Sequence, residues 1–167
     1  DWKNGGYRFS RPDVGSVSLI TFPGKTAAKF PDLAKASDAN LLKHIVSDSA
    51  VCRINTQREI LKRSAGGHID GLARLAADKS IHLHGRIAAL FTLKQLAGES
   101  VNKRIARLTL DETIREWAYR ALADRKRQTG GVNSALFVKA LRDKNLRVRL
   151  QAVIGLARLG NPHKSLL

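Results

Sequence analysis

The stretch Asp143-Lys144-Asn145-Leu146-Arg147-Val148-Arg149-Leu150-Gln151-Ala152-Val153-Ile154-Gly155-Leu156 reads as a turn that opens into an amphipathic helix. Asp143 supplies the turn, an aliphatic residue follows three positions later, and Leu150, Val153, Ile154 and Leu156 recur at helical spacing. The pattern is not confined to this stretch. Asp48, Asp78, Asp111 and Asp143 are 30, 33 and 32 residues apart, and Val51, Ile81, Ile114 and Leu146 stand three positions after them. Leu42, Leu72, Ile105 and Phe137 stand six positions before, and Ile45, Leu75, Leu108 and Ala140 three before. Breakers recur as well, at Gly66-Gly67, Gly98, Gly130-Gly131 and Gly160. A fixed period near 32 residues is the mark of a repeated supersecondary unit.

The unit is a helix pair. The residues six and three before each Asp share one face of a short first helix. The Asp lies at the turn, where its carboxylate is expected to cap the longer second helix and favour the positive end of its dipole. Pairs are expected at 38–64, 69–97, 100–127 and 133–159, with Ser37 as the first N-cap. The second helices run over 81–96 in the second pair and 146–159 in the fourth. One such pair cannot bury its apolar faces, but stacked neighbours can. The predicted fold is therefore all-α, an α-solenoid of about four helix pairs forming a domain over 37–167.

Residues 1–36 have a different texture. Asn4-Gly5-Gly6 and Arg11-Pro12-Asp13-Val14-Gly15 are turn signals. Between and after them, Gly6-Tyr7-Arg8-Phe9 and Ser16-Val17-Ser18-Leu19-Ile20-Thr21-Phe22 read as short strands. Two short strands do not make a stable sheet alone. Residues 25–35 read as an irregular linker. The chain opens on Asp1 without Met, so it reads as a piece of something longer, and Leu166-Leu167 suggest that further repeats follow.

The unit around Asp143, with Leu146-Arg147 and then Ala152, resembles a HEAT or HEAT-like repeat of the phycobilisome-lyase type. The unit around Asp111, with Ile114-Arg115, Ala118 and Ala121-Leu122, is similar, whereas Cys52 and His82 stand where the other two pairs carry Arg. The resemblance spans roughly 38–160. Gly6–Phe9 and Val14–Thr21 resemble the last strands of a sorbosone-dehydrogenase-like β-propeller. Thr56–Arg63, Arg86–Leu93 and Ala121–Lys126 look like the helical segment that follows it in large membrane-bound-type dehydrogenases of the planctomycete kind, which also carry a c-type haem domain. That resemblance implies a propeller tail joined to a helical array in a periplasmic or cell-envelope protein. The haem motif Cys-x-x-Cys-His is absent from this sequence, so the resemblance assigns no haem or dehydrogenase role to any residue here.

Composition narrows the function classes. The chain has 167 residues, 43% of them hydrophobic, enough for a real core. A single Cys excludes an internal disulfide framework, and no apolar run approaches the roughly 18 residues of a membrane span. Thirty Lys and Arg against 14 Asp and Glu give a formal charge of +16. Such an excess can serve nucleic acid, an anionic surface or an acidic partner. Here the cations are spread over every repeat rather than gathered in one tract, which is what a solvated outer face produces.

No complete catalytic motif is present, and none of the residues is expected to be catalytic, to bind a cofactor or to hold a metal. His82 and His84, two apart on one helix, do not share a face, and His44, His68 and His163 are scattered without metal-ligand spacing. Cys52 reads as a packing thiol, and the Gly-Gly pairs read as helix ends rather than phosphate loops. The run Arg125-Lys126-Arg127 reads as a helix terminus. The candidate contacts to a partner or polyanion are Arg115, Trp117, Arg147 and Arg149. Arg115 and Arg147 are expected to pair with an Asp of a neighbouring repeat, and Arg149 to be solvated. Asp48, Asp78, Asp111 and Asp143 are structural. The expected function is a non-catalytic scaffold for a protein partner or neighbouring domains. The alternative is a basic nucleic-acid binder, a DNA-glycosylase-like enzyme using Trp117, Asp111 and Arg149 included.

Overall fold

The computed structural model describes residues 23–24, 29–64 and 66–160. The expected strands at 6–9 and 16–22 and the residues Leu166-Leu167 lie outside them. Among the described residues the fold is all-helical, without strands. The helices are α1 (Asp38–His44), α2 (Ala50–Arg63), α3 (Ile69–Ala77), α4 (Leu83–Ala97), α5 (Asn102–Leu108), α6 (Arg115–Leu122), α7 (Ser134–Ala140) and α8 (Leu146–Arg158). Short 3-10 turns at Gly66–His68, Gly98–Val101 and Lys126–Gln128 connect them. Each odd helix packs on the even helix that follows it. The even helices also touch in series, α2 on α4, α4 on α6 and α6 on α8.

Local chemistry sets the boundaries. Ser37 Oγ accepts the Asn40 amide and starts α1. Gly98, at φ +58°, ends α4, and Gly160, at φ +64°, follows the end of α8, where an L side chain would be strained. The core is one continuous cluster from Leu33 to Ala152, with Leu41, Ile45, Ile60, Leu72, Leu90, Ile105, Leu122 and Phe137 fully buried. Each such side chain contributes about 1.5–3 kcal/mol by leaving water.

The phase of the second helices differs from the one the four Asp residues suggest. The entry residues are the N-caps Ser49, His82 and Asn145 and, before α6, Asp111, which a turn over 112–114 separates from the helix. In each case the amide four residues on closes the first turn onto the entry carbonyl: Arg53 to Ser49 at 3.0 Å, Arg86 to His82 at 3.2 Å, Arg115 to Asp111 at 2.8 Å and Arg149 to Asn145 at 3.1 Å. The entry side chain accepts a further amide every time. Ser49 Oγ takes Cys52 N, His82 Nδ1 takes Gly85 N, Asp111 Oδ1 takes Thr113 N and Asn145 Oδ1 takes Arg147 N. Seven residues on from the entry, Thr56, Ala89, Ala118 and Ala152 are all fully buried. Four residues on, every pair carries an arginine.

Three expectations are corrected by this phase. Asp48, Asp78 and Asp143 do not cap second helices; they precede the entry residue by one, four and two positions, and Asp111 accepts an amide inside the turn before α6, whose N-cap, Ile114, makes no side-chain cap hydrogen bond. Cys52 and His82 do not replace the repeated arginine, because Arg53 and Arg86 supply it. In the fourth pair that arginine is Arg149, not Arg147. The physical reason is that several polar side chains accept amides at a helix entry about equally well, so Asp marks the loops without marking their phase. The run Arg125-Lys126-Arg127 is also misplaced by the sequence reading. Helix α6 stops at Leu122, Lys126–Gln128 form a separate 3-10 turn, and the carbonyls past the end of α6 are taken by Arg158 Nη1, at 2.7 Å from Ala123 and 2.8 Å from Asp124.

Candidate interaction surface

Two of the repeated arginines, Arg86 and Arg115, tie their pair to the inter-helix turn of the next. Arg53 donates within its own pair, to the Ser47 carbonyl at 2.7 Å and the Asp48 carbonyl at 2.8 Å. Arg86 is almost wholly buried and uses its full fork. Nε donates to the Ala76 carbonyl of its own pair, Nη1 to Thr113 Oγ1 and Nη2 to Asp111 Oδ2 of the next pair, the last two at 2.7 Å. Arg115 Nη2 donates to Asp143 Oδ1 at 2.9 Å, one pair further on. Burial opposes ionisation of Asp111, but hydrogen bonds from Arg86 and Thr113, with the Arg86 charge, hold its carboxyl at about 2. Arg149 is exposed, with no ion pair among the described residues.

A second polar device lies inside the fold. Lys94 is fully buried, and its Nζ donates to Asn102 Oδ1 at 2.6 Å and the Gln128 carbonyl at 2.8 Å. Asn102 Nδ2 then donates to the carbonyls of Gln128 and Gly130. This fastens the turn between the third and fourth pairs to the second. Burial lowers the Lys94 pKa, with Glu99 and Asp124 pulling the other way. A lysine amid the apolar run Ala88–Leu96 gives no sequence signal of burial, because lysine is ordinarily solvated.

The exposed side of the even helices carries the most distinctive chemistry. Phe91 on α4 and Trp117 on α6 are half-buried and meet edge to face, their ring centroids 6.4 Å apart at 84°. The Arg120 guanidinium lies over both rings, 5.8 Å from the Phe91 centroid and 5.6 Å from that of Trp117. Such an arrangement holds a cation and two aromatic faces at a fixed spot on the surface. Next to it, a cleft of about 210 Å³ between α6 and α8 is lined by Arg120, Ala123, Asp124, Gln151, Ile154 and Arg158. Phe91 and Arg120 each stand nine residues on from their entry residue, in the same column as Arg58 and Ile154.

A wider groove of about 790 Å³ opens between Thr109, Leu110 and α7. Of its inner polar groups, Arg115 Nη2 donates to Asp143 and the Tyr119 hydroxyl to the Leu136 carbonyl at 3.4 Å, while Arg115 Nε is buried without a hydrogen-bond partner. Tyr119 itself is core, edge-on to Phe137 at 5.3 Å, and burial raises its pKa.

The sequence candidates therefore separate. Trp117 sits in the aromatic cluster. Arg115 is committed to Asp143 and Glu112. Arg147 and Arg149 are exposed on α8 and join neither. No hydrogen bond or ion pair unites Asp111, Trp117 and Arg149 among the described residues. Cys52 is buried, its Sγ 3.9 Å from the His44 carbonyl. His82 and His84 have ring centroids 6.4 Å apart, and His82 Nε2 lies 2.7 Å from the Val46 carbonyl. Among the described residues there is no group of three His, Cys, Asp or Glu able to hold a metal, and no helix long and apolar enough to cross a membrane. No protein-family model matches the chain, and no curated protein matches it.

Proposed function

We propose that the helix pairs form an α-solenoid of about four HEAT-like repeats that works as a non-catalytic scaffold for protein–protein or interdomain contact. The observation that carries this reading is the serial contact of α2, α4, α6 and α8 under one phase, with an arginine at the same offset in each. Stacked units of that kind present one continuous side-chain surface, and here its centre is Phe91, Trp117 and Arg120. Rigid aromatics with a guanidinium are the groups that anchor protein interfaces. The resemblance of its sequence to the propeller-tail segment of haem-containing dehydrogenases supports, as part of the same proposal, reading the scaffold as a piece of a larger envelope protein.

A photo-crosslinking residue placed at Trp117 or Arg58 tests it against one placed at Arg74 on α3. Protein adducts specific to positions 117 and 58 support the scaffold. Equal labelling at 74, or adducts to nucleic acid, overturn it. The same cluster favours one second reading, stacking of single-stranded bases on Trp117. That reading requires binding of a labelled 20-mer that weakens steeply between about 50 and 300 mM salt and that Trp117→Ala abolishes.

A further inference from the structure

Exposed hydrocarbon in this molecule is sorted by layer. Among the described residues eight large hydrophobic side chains are exposed, and six of them, Val51, Ile54, Leu83, Leu146, Leu150 and Val153, stand on even helices. None stands on α1, α3, α5 or α7, since Phe30 precedes α1 and Leu110 lies between α5 and α6. Charge is sorted the same way. The even helices expose Arg58, Lys62, Arg120, Arg147, Arg149 and Arg158, none of them in an ion pair among the described residues. Their two carboxylates, Glu59 and Glu116, are half-buried, and Glu59 is taken by Arg63 at 2.9 Å. The odd helices do expose carboxylates, Asp38 and Asp70, and pair both with arginines. Arg149 stands where Arg86 and Arg115 reach the following pair, so it is set aside with Val153, one turn on. The rest fall in neighbouring columns. Ile54, Ile87 and Leu150 stand five residues on from the entry, interrupted in α6 by Glu116, and Arg58, Phe91, Arg120 and Ile154 stand nine on. Arg120 lies over Phe91 and shares a cleft with Ile154, so the nine-on columns of α4, α6 and α8 are side by side. Stacking of further pairs leaves this face open. Helices α2 and α4 are each followed by another pair, and Val51, Ile54 and Leu83 are still 61%, 50% and 40% exposed. Apolar side chains grouped on one face in this way mark an interaction surface.

We infer that the outward face of the even helices receives an acidic amphipathic helix of a partner protein, with its apolar stripe on Ile54, Ile87, Phe91 and Leu150 and its carboxylates toward Arg58, Arg120 and Arg147. The inference rests on the scaffold function proposed above and names the class of its partner. The helical form of the occupant follows from the backbone. The face is built of helices whose amides and carbonyls are paired internally, so an extended chain crossing it would leave its own backbone groups unpaired over hydrocarbon. A helix brings those bonds with it. The sign of its charge follows from cations that have no acid of their own. A second copy of a +16 chain is repelled, whereas an acidic helix is drawn in. Within this sequence, residues 1–22 hold two acids against three cations and residues 161–167 none against one, so neither stretch is an acidic segment. The interleaving of the two chemistries argues against an anionic bilayer. Arg58 follows Ile54 by one turn and Arg147 adjoins Leu146, so inserting the apolar side chains would carry guanidiniums toward hydrocarbon.

The test uses the full chain and a fluorescent glutamate–leucine peptide of about 18 residues, its leucines at three- and four-residue spacing. Saturable binding is expected by anisotropy at about 100 mM salt. Arg58→Glu/Arg147→Glu is expected to weaken it at least about tenfold, and Arg107→Glu/Lys139→Glu, the same charge change on α5 and α7, less than about threefold. Ile54→Asp/Leu150→Asp is expected to weaken it at least about tenfold as well, with the helical circular dichroism of every variant unchanged. A scrambled peptide of the same composition is expected to bind at least about tenfold more weakly. Equal loss in the two charge-reversed variants overturns the inference by reducing it to net charge, and equal binding of the scrambled peptide overturns it by removing the stripe. Binding to vesicles of phosphatidylserine and phosphatidylcholine that Ile54→Asp/Leu150→Asp abolishes, with no binding of the peptide, makes a bilayer the occupant and also overturns it. Absence of peptide binding while positions 117 and 58 still yield protein adducts overturns this inference alone, whereas absence of both removes the scaffold with it.

Discussion

At the residue scale, the four arginines at one offset have one sequence role and several energetic ones. Arg86 and Asp111 are 2.7 Å apart, with side chains 3% and 12% exposed. Removing one partner of a buried pair strands the other, which costs about 3–5 kcal/mol. Arg86→Ala is therefore expected to destabilise the fold by that amount, while Arg149→Ala, exposed and with no ion pair among the described residues, stays within about 0.5 kcal/mol. The same pair predicts an acid response. Asp111 has its folded pKa depressed from 3.8 to about 2, so the unfolded chain binds the proton first as pH falls. The stability it contributes is complete above about pH 4 and is lost down to about pH 2, an amount of about 2 kcal/mol. Urea titrations at pH 5, 3 and 2 should show this fall in the wild type and a flatter profile in Arg86→Ala. Identical profiles, or an Arg149→Ala as damaging as Arg86→Ala, would contradict the assignment of the repeated arginine.

At the scale of the element, packing of α7 on α8 turns on Gly155. A Cβ there would fall on Cε1 and Cδ1 of Phe137, whose ring is fully buried. Glycine inside a helix costs about 1 kcal/mol relative to alanine, so propensity alone favours Gly155→Ala. The overlap with a ring that has no room to move opposes it by about 1–3 kcal/mol. The expected outcome is net destabilisation by about 1 kcal/mol, relieved in Gly155→Ala/Phe137→Leu. A more stable single variant would show that the ring yields. This element also shows how far sequence reading reaches. The four helix pairs were legible in the sequence, because apolar periodicity and glycine breakers both follow the backbone, although the third ends at Leu122 rather than at 127. Their phase was not, because Ser49, His82, Asp111 and Asn145 share an acceptor atom but no letter. Trp117 stood out in the sequence, whereas its pairing with Phe91 and Arg120 depends on which columns of α4 and α6 lie side by side. The burial of Lys94 was hidden because its partners, Asn102 and the Gln128 carbonyl, lie 8 and 34 residues away.

At the scale of the whole molecule, the charge sets the response to salt. The inward pairs Arg86–Asp111 and Arg115–Asp143 are shielded from ions and lose little on screening. Exposed pairs such as Lys35–Asp32 and Lys144–Glu112 contribute about 0–1 kcal/mol each, so their screening is a small loss. Against these stands the self-repulsion of 30 cations over 14 acids, spread along all four pairs, which favours the expanded chain. Raising salt from about 10 to 150 mM shortens the Debye length from about 30 to 8 Å. That removes repulsion between pairs while leaving the close ion pairs in place. The thermal midpoint is therefore expected to rise with sodium chloride, by about 2–4 °C for each kcal/mol recovered. Replacing chloride with sulfate at equal ionic strength separates this screening from specific anion binding. A larger rise in sulfate would point to anions seated among the arginines, whereas a falling midpoint would mean that exposed ion pairs, rather than repulsion, dominate the surface energetics of this chain.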